Sequence, residues 1–305
     1  MPCCGELADW LIYELEKAYY SRERILPFES PLQRGNAWQG GLTRIRGAGR
    51  MGGRRMAMGI MEKVEEVVTT QGLALRLNDF VDRVEASVGG GDWHQMNDRD
   101  RALVTIAIHD AKIKISGDTL TACLLKIAEA SITHPVRDYL DGLKWDGEPR
   151  VDTWLIEYMG ADDTLLTRAV GRAVLLAAVR RVRQPGCKFD EALVLVGKPG
   201  VGKSETVKAL AGPWFSDSLP LGAGPKETVE QTVGVWICES AELVGNTPAK
   251  VNEIKAFLSR QEDGPFRAAY GHNSTVRPRQ FIPIATTNDA VFLHSVTGDR
   301  RFWPT

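Results

Sequence analysis

The second half of the chain contains three short, largely apolar runs, separated by segments in which apolar residues recur at helical spacing. The runs cover residues 192–196, 233–238 and 281–287. Short apolar runs are typical of strands that are buried on both faces of a parallel sheet. Residues 204–211 and 247–258, which lie between the runs, have the pattern of amphipathic helices. We therefore predict an α/β domain in which helices cover both faces of a parallel sheet.

The pattern along the whole chain predicts three regions. Residues 61–150 predict a mainly helical N-terminal region, and residues 151–305 predict the α/β domain. Residues 1–60 are weakly patterned, and the stretch 32–56 within them is rich in glycine and arginine and has no acidic residue. That composition is typical of a disordered segment, and a basic arm that binds nucleic acid is the alternative.

Composition narrows the class of protein without naming a function. The chain has 305 residues, a net charge of −1 and five cysteines, none of them in a C-x-x-C pair. The balanced charge gives no global sign of a nucleic-acid partner, and the cysteine spacing argues against a zinc site or a disulfide framework. No apolar run approaches the length of a membrane span, and the N-terminus lacks the order of a secretory signal. These features predict a cytoplasmic protein with reduced thiols and no membrane partner.

A complete phosphate-binding motif of the form GxxxxGK[ST] follows the first apolar run and opens the next helix. It reads Gly197-Lys198-Pro199-Gly200-Val201-Gly202-Lys203-Ser204. The N–H groups of a glycine loop and the N-terminus of a helix together attract phosphate. We expect Lys203 to reach the β- and γ-phosphates of ATP and Ser204 to ligate Mg²⁺. Glu205 completes the predicted set of nucleotide-contacting residues.

Hydrolysis of a nucleotide also needs polar groups at the ends of neighbouring strands. Glu239 ends the second run and is assigned to Mg²⁺, and Glu242 is a candidate water activator, although the two roles could be exchanged. Asn288 ends the third run, where its amide can orient water against the γ-phosphate. Arg300 and Arg301 can stabilise the developing phosphoryl charge, often from a neighbouring subunit. Surface carboxylates, a turn residue and surface salt bridges are the respective alternatives.

Residues 266–281 predict a basic β-hairpin with a polar tip. Such a hairpin can follow a nucleic-acid backbone, and an aromatic side chain such as Tyr270 could stack on a base. A solvated hairpin with one core tyrosine is the alternative. The candidate DNA-binding residues of the hairpin are Arg267, Tyr270, His272, Arg277 and Arg279.

Together these residues resemble the virulence-associated E family, the phage and prophage ATPases related to superfamily 3 helicases. The similarity covers about residues 130–305 and rests on a series of short signatures in the right order. They are His134-Pro135-Val136-Arg137-Asp138-Tyr139-Leu140, Trp145-Asp146-Gly147, Gly197 to Ser204, Glu239 and Glu242, Ile254-Lys255-Ala256-Phe257-Leu258-Ser259, Phe266-Arg267 with Tyr270-Gly271, Thr286-Thr287-Asn288 and Gly298-Asp299-Arg300-Arg301-Phe302-Trp303-Pro304.

The resemblance implies an AAA+-like P-loop NTPase that forms a hexameric ring and hydrolyses ATP during replication of phage or mobile-element DNA in a bacterial host cell. It implies that the Glu239 carboxylate binds Mg²⁺ and acts on the attacking water, and that Asn288 senses the γ-phosphate. Arg300 and Arg301 would reach the nucleotide of the neighbouring subunit. The hairpin would contact single-stranded or forked DNA in the central channel, with Lys255 as a further candidate.

The end of the chain departs from the family pattern. It stops where a strand should be starting beside the strand of the phosphate loop, so we expect the last strand and any C-terminal lid to be missing. Three functions stay open: a DNA-dependent ATPase or helicase, a remnant that binds nucleotide or DNA without turnover, and a P-loop phosphotransferase for a small molecule. A GTPase is disfavoured, because the chain has no Asn-Lys-x-Asp segment.

Overall fold

The structure is a computed structural model that describes residues 58–218, 221–241, 248–267, 274–289 and 300–305. The chain divides into two compact units, and the boundary falls after Ile132 rather than near residue 150, where the sequence pattern placed it. Asp79–Val81 belong to the C-terminal unit. Nearly all of the segment predicted to be disordered lies outside the described residues. No helix in the described ranges is long and apolar enough to cross a bilayer.

The N-terminal unit combines three helices with an antiparallel hairpin. Its elements are α1 (Ile60–Thr70), β1 (Leu73–Asn78), β2 (Arg83–Val88), β3 (His94–Gln95), α2 (Asp98–Asp110), α3 (Gly117–Ala128) and β4 (Ile132–Thr133). The strands form a sheet in the order β3-β2-β1-β4. The hairpin of β1 and β2 is a departure from the mainly helical region that the sequence pattern predicted. Its signal is the alternation in β1, where Leu73, Leu75 and Leu77 are buried and the intervening Ala74 and Arg76 are more exposed.

The C-terminal unit is built on a parallel sheet. Its elements are α4 (Pro135–Gly142), α5 (Trp154–Met159), α6 (Leu165–Arg183), β5 (Ala192–Val196), α7 (Lys203–Ala211), β6 (Phe215–Ser216), α8 (Pro225–Thr232), β7 (Ile237–Ala241), α9 (Pro248–Leu258), β8 (Glu262–Arg267), β9 (Ser274–Pro278), β10 (Ile282–Thr287) and β11 (Phe302–Pro304). Five strands form the sheet in the order β11-β5-β10-β7-β6, and β8 and β9 form a separate antiparallel pair. The mixed α/β class predicted from the sequence is confirmed.

Both faces of the parallel sheet are covered, as the apolar runs predicted. Successive side chains of a strand point to opposite faces, so β5 contributes to two cores. Leu193 and Leu195 pack in the core that includes residues of α6 and α7, whereas Ala192 and Val194 pack with residues of α9. The run predicted at 233–238 is a strand only from Ile237 onwards, so Glu239 lies within β7 and not after its end.

The strand that the sequence analysis expected to be missing is present. β11 pairs in parallel with β5, with Trp303 opposite Leu193. The backbone of Thr305 continues this pairing, because its N–H donates to Val194 O over 3.0 Å and its carbonyl accepts from Val196 N over 2.9 Å. The register sets Phe302, Trp303 and Pro304 opposite Ala192, Leu193 and Val194 of β5. The strand of the phosphate loop is therefore paired on both sides, by β11 and β10.

The first family signature has a structural role at the start of α4. His134 is buried, and its Nδ1 accepts a hydrogen bond from Arg137 N over 3.2 Å, which caps the helix. Its Nε2 lies 2.8 Å from Gln280 Oε1 and donates to it. The neutral ring satisfies both contacts. Burial and the nearby Arg137 guanidinium lower the pKa of His134 to about 4.

The shifted pKa predicts that stability falls in mild acid. Because the ring prefers to be neutral when folded, the unfolded chain takes up a proton first, and stability is lost as the pH falls from 6.5 towards 4. The full difference corresponds to about 3 kcal/mol. Urea unfolding of wild type and of His134→Asn, which can still cap a helix, should be compared at pH 7 and pH 4. We expect wild type to lose about 2–3 kcal/mol more than the variant; equal losses would contradict the assignment.

Candidate functional site

The phosphate-loop motif forms the connection between β5 and α7. Gly200 and Gly202 have φ angles of 80° and 92°, a region that residues with a side chain rarely adopt. Gly202 is the N-cap residue of α7, so Lys203 and Ser204 are its first two residues. The motif therefore brings a glycine loop, a helix N-terminus and a lysine to one place, an arrangement that favours binding of a phosphate group. Glu205 is exposed in the first turn of the helix.

Lys203 connects the loop to the end of the neighbouring strand β10. Its side chain is mostly buried, and Nζ donates to three oxygens. These are Gly197 O at 2.6 Å, Lys198 O at 3.0 Å and Asn288 Oδ1 at 2.9 Å. Asn288 follows β10 directly, and β10 pairs in parallel with β5, so the two strands end side by side. The structure thus brings together Lys203 and Asn288, which the sequence analysis chose independently.

Glu239 and Ser204 also meet, as the sequence analysis expected for a Mg²⁺ site. Glu239 is 2 % exposed, and its Oε1 accepts a hydrogen bond from Ser204 Oγ over 2.6 Å. Carboxylate and hydroxyl oxygens are ligands that Mg²⁺ accepts. Ser204 is itself exposed at the start of α7. The donor set fits a Mg²⁺ ion held by Ser204 and Glu239.

The structure adds a residue that the sequence analysis did not assign a role. Thr286 Oγ1 donates to the same carboxylate oxygen, Glu239 Oε1, over 2.6 Å. Thr286 is two residues before Asn288, so both positions fall on one face of β10. A signal was available in the sequence, because the apolar positions Ile282 and Ile284 on that face give way to polar residues where the strand ends.

Some of the remaining predicted site residues lie outside the described part of the chain, and the others lie within it. Glu242, Tyr270 and His272 lie outside the described residues, as does the side chain of Arg267 in β8. Lys255 is half-buried on α9. Arg300 is exposed just before β11, and its carbonyl accepts a hydrogen bond from the Trp303 indole over 3.2 Å. The half-buried Arg301 has its Nε atom buried without a hydrogen-bond partner in the described part of the chain.

The predicted hairpin exists, but one of its arginines, Arg279, does not lie on a surface open to DNA. Arg279 is 3 % exposed, and its guanidinium makes two hydrogen bonds of 2.7 Å to the carboxylate of Asp263. Its third bond goes to Phe257 O. The half-buried Arg277 donates from Nη2 to Phe80 O. Asp263, which neutralises Arg279, lies three residues before the range predicted to form the basic hairpin.

The Arg279–Asp263 pair predicts a large loss of stability when one partner is removed. Asp263→Ala leaves a buried guanidinium without its counter-charge, which costs about 3–5 kcal/mol. The free energy of unfolding should be measured in urea, with Glu230→Ala as the control, because Glu230 forms an exposed pair with Lys226 and such pairs contribute little. A loss for Asp263→Ala as small as that of the control would show that the pair is not important for the fold.

One comparison with known proteins, the scan against family models, agrees with the family resemblance. The model of the virulence-associated protein E-like domain matches residues 140–305, which is more than half of the chain. No curated protein matches the sequence. Two apo structures of the "NrS-1 C terminal region" share 13 % sequence identity with the chain, at TM-scores of 0.43 and 0.42. The alignments cover 79 % and 81 % of this chain but only 60 % and 61 % of those chains.

The chain thus spans about 60 % of the length of these solved structures. The family match is the firmer result, because it includes the phosphate loop, β7, β10 and β11 in one continuous segment. The chain belongs to the family of virulence-associated protein E-like domains.

Proposed function

We propose that the C-terminal unit is a P-loop NTPase domain that binds ATP with Mg²⁺ and hydrolyses it. The observation that carries the proposal is the meeting of Lys203, Asn288, Ser204 and Glu239 at the end of the parallel strands β5, β7 and β10. Each of these residues is of the type that the chemistry of phosphoryl transfer needs. A strand, a glycine loop and a helix in this order support the P-loop assignment.

The loop and Lys203 bind the phosphates in the proposed mechanism. The N–H groups of the loop and of the first turn of α7 face an incoming phosphate, and the positive end of the helix dipole adds to the attraction. The ammonium of Lys203 has only three donor hydrogens, and all three have acceptors in this structure. A phosphate oxygen therefore replaces at least one of these acceptors when it binds.

Asn288 is well placed to respond to that exchange. Its Oδ1 accepts a hydrogen bond from Lys203 Nζ. A phosphate that attracts the ammonium would break this bond, and the amide oxygen would then need another donor. The amide also has two donor hydrogens, which can hold a water molecule or a γ-phosphate oxygen. We assign to Asn288 the role of a sensor that orients water against the γ-phosphate.

Ser204 and Glu239 would hold the metal. When bound, Mg²⁺ neutralises charge on the β- and γ-phosphates during transfer. The hydroxyl of Ser204 donates its single proton to Glu239, which leaves its lone pairs for a cation. Glu239 Oε2 has no hydrogen-bond partner within the described ranges, so this oxygen is available to a metal-bound or attacking water. Glu242 is the second candidate for accepting the proton of the attacking water.

We further propose that the ATPase acts on single-stranded or forked DNA in phage or mobile-element replication and works as a homo-oligomeric ring in the bacterial cytoplasm. Membership of the family supports this step. Arg300, exposed beside the edge of the sheet, is the better candidate for reaching a neighbouring nucleotide than the partly buried Arg301. Lys255 is the described candidate for DNA contact.

Lys203→Ala tests the nucleotide half of the proposal. Loss of a preorganised donor to the phosphates should lower the rate of ATP hydrolysis by about 100- to 1,000-fold. Lys208→Ala is the matched control, because Lys208 is an exposed lysine of the same helix. Phosphate release and binding of a fluorescent ATP analogue should both be measured. Binding without phosphate release in wild type would favour the non-catalytic remnant, and a phosphorylated metabolite among the products would favour a phosphotransferase.

The DNA half predicts that single-stranded DNA stimulates hydrolysis. Lys255→Ala should reduce the stimulation and weaken its dependence on salt, because a lysine that contacts phosphate releases a counterion. Lys226→Ala, an exposed lysine on α8, should behave as wild type. Hydrolysis that proceeds equally fast with and without DNA would remove this half of the proposal and leave the ATPase intact.

A further inference from the structure

Thr286 makes a contact that strand packing does not require. It lies in β10, which pairs with β5 on one side and β7 on the other, and it is 5 % exposed. A valine has the same shape and suits a buried strand at least as well. The hydroxyl instead donates to Glu239 Oε1 over 2.6 Å. A hydrogen bond to an ionised carboxylate is stronger than one between neutral groups.

The two oxygens of Glu239 are in unlike surroundings. Oε1 accepts from both Ser204 and Thr286, whereas Oε2 accepts no hydrogen bond from the described residues. The side chain is buried, so its orientation is decided by these two donors. One of them, Ser204, sits on the phosphate loop's helix and changes its surroundings when nucleotide and metal bind. Thr286 belongs to the central strand of the sheet, which is paired on both sides.

We propose that Thr286 is a positioning residue for Glu239, in the nucleotide site proposed above. Its hydroxyl holds Oε1 in place, so the Glu239 carboxylate keeps its orientation when Ser204 changes partners. Oε2 therefore stays directed towards the metal-bound or attacking water. The inference rests on the proposed function, because it assigns Thr286 a part in that same site. Without the Thr286 hydroxyl, Ser204 would be the one described donor to the Glu239 carboxylate. The Ser204 hydroxyl would then have to donate to Glu239 and ligate Mg²⁺ at the same time.

Thr286→Val removes the hydroxyl and keeps the shape of the side chain. Loss of an outer-shell partner of a metal-binding group typically costs about 10- to 100-fold in metal affinity or activity. We therefore expect the Mg²⁺ concentration for half-maximal binding of a fluorescent ATP analogue to rise by about 10-fold or more. The value of kcat should fall by a similar factor with little change in KM. Thr286→Ser, which keeps the hydroxyl, should restore both.

Thr228→Val is the matched control for the loss of a buried hydroxyl. Thr228 is fully buried in the same unit, and its hydroxyl donates to Gly224 O within α8, away from the proposed site. It should change thermal unfolding without changing the dependence of binding on Mg²⁺. If Thr286→Val does not fold, Thr286→Cys supplies a weaker donor of similar size, and an intermediate loss is expected. Unchanged Mg²⁺ dependence in either variant overturns the inference.

A second comparison shows whether Thr286 acts through Glu239. In a Glu239→Gln background, Thr286→Val should produce little further change in Mg²⁺-dependent binding, because the group that it positions is already altered. Full additivity of the two changes overturns the inference and leaves the proposed function standing. Failure of wild type to bind the ATP analogue, or equal binding by Lys203→Ala, overturns the proposed function and the inference with it.

Discussion

The parallel pairing of β10 with β5 and β7 fixes the positions of Glu239, Thr286 and Asn288 in the candidate site. Thr287 lies opposite Val196 and Thr286 lies opposite Ala241, so the three strands end at nearly the same level. Parallel strands deliver their carboxyl ends to one edge of the sheet, where helix N-termini also gather. A shift of β10 by one residue would turn Thr286 and Asn288 to the opposite face. Burial on both faces prevents such a shift.

The sequence predicted the elements whose signals are local and strong. The motif at 197–204, the three apolar runs and the pattern at 247–258 each correspond to an observed element, with ends that differ by a few residues. Lys203 with Asn288, and Ser204 with Glu239, could be predicted as neighbours because parallel pairing brings the ends of buried strands together. The roles of the terminal arginines, Lys255 and the unseen part of the hairpin stay predictions.

The errors arose where a residue's partner is distant in the sequence. The charge of Arg279 suggested a surface for DNA, but charge alone does not give exposure, and this side chain is buried against Asp263. The last strand was expected to be missing because the chain stops where that strand should start, yet Phe302–Pro304 already pair with β5. Thr286 was overlooked because its acceptor is on another strand, 47 positions away.

The contacts of Lys203 with its own loop bear on the affinity of the loop for an anion. The carbonyls of Gly197 and Lys198 neutralise part of the ammonium's charge and tie the side chain to its own loop. In the proposed nucleotide site, a polyanion would have to displace at least one of these carbonyls, and that displacement would reduce the net free energy of binding. The affinity of such a loop would therefore be lower than its number of donors alone suggests.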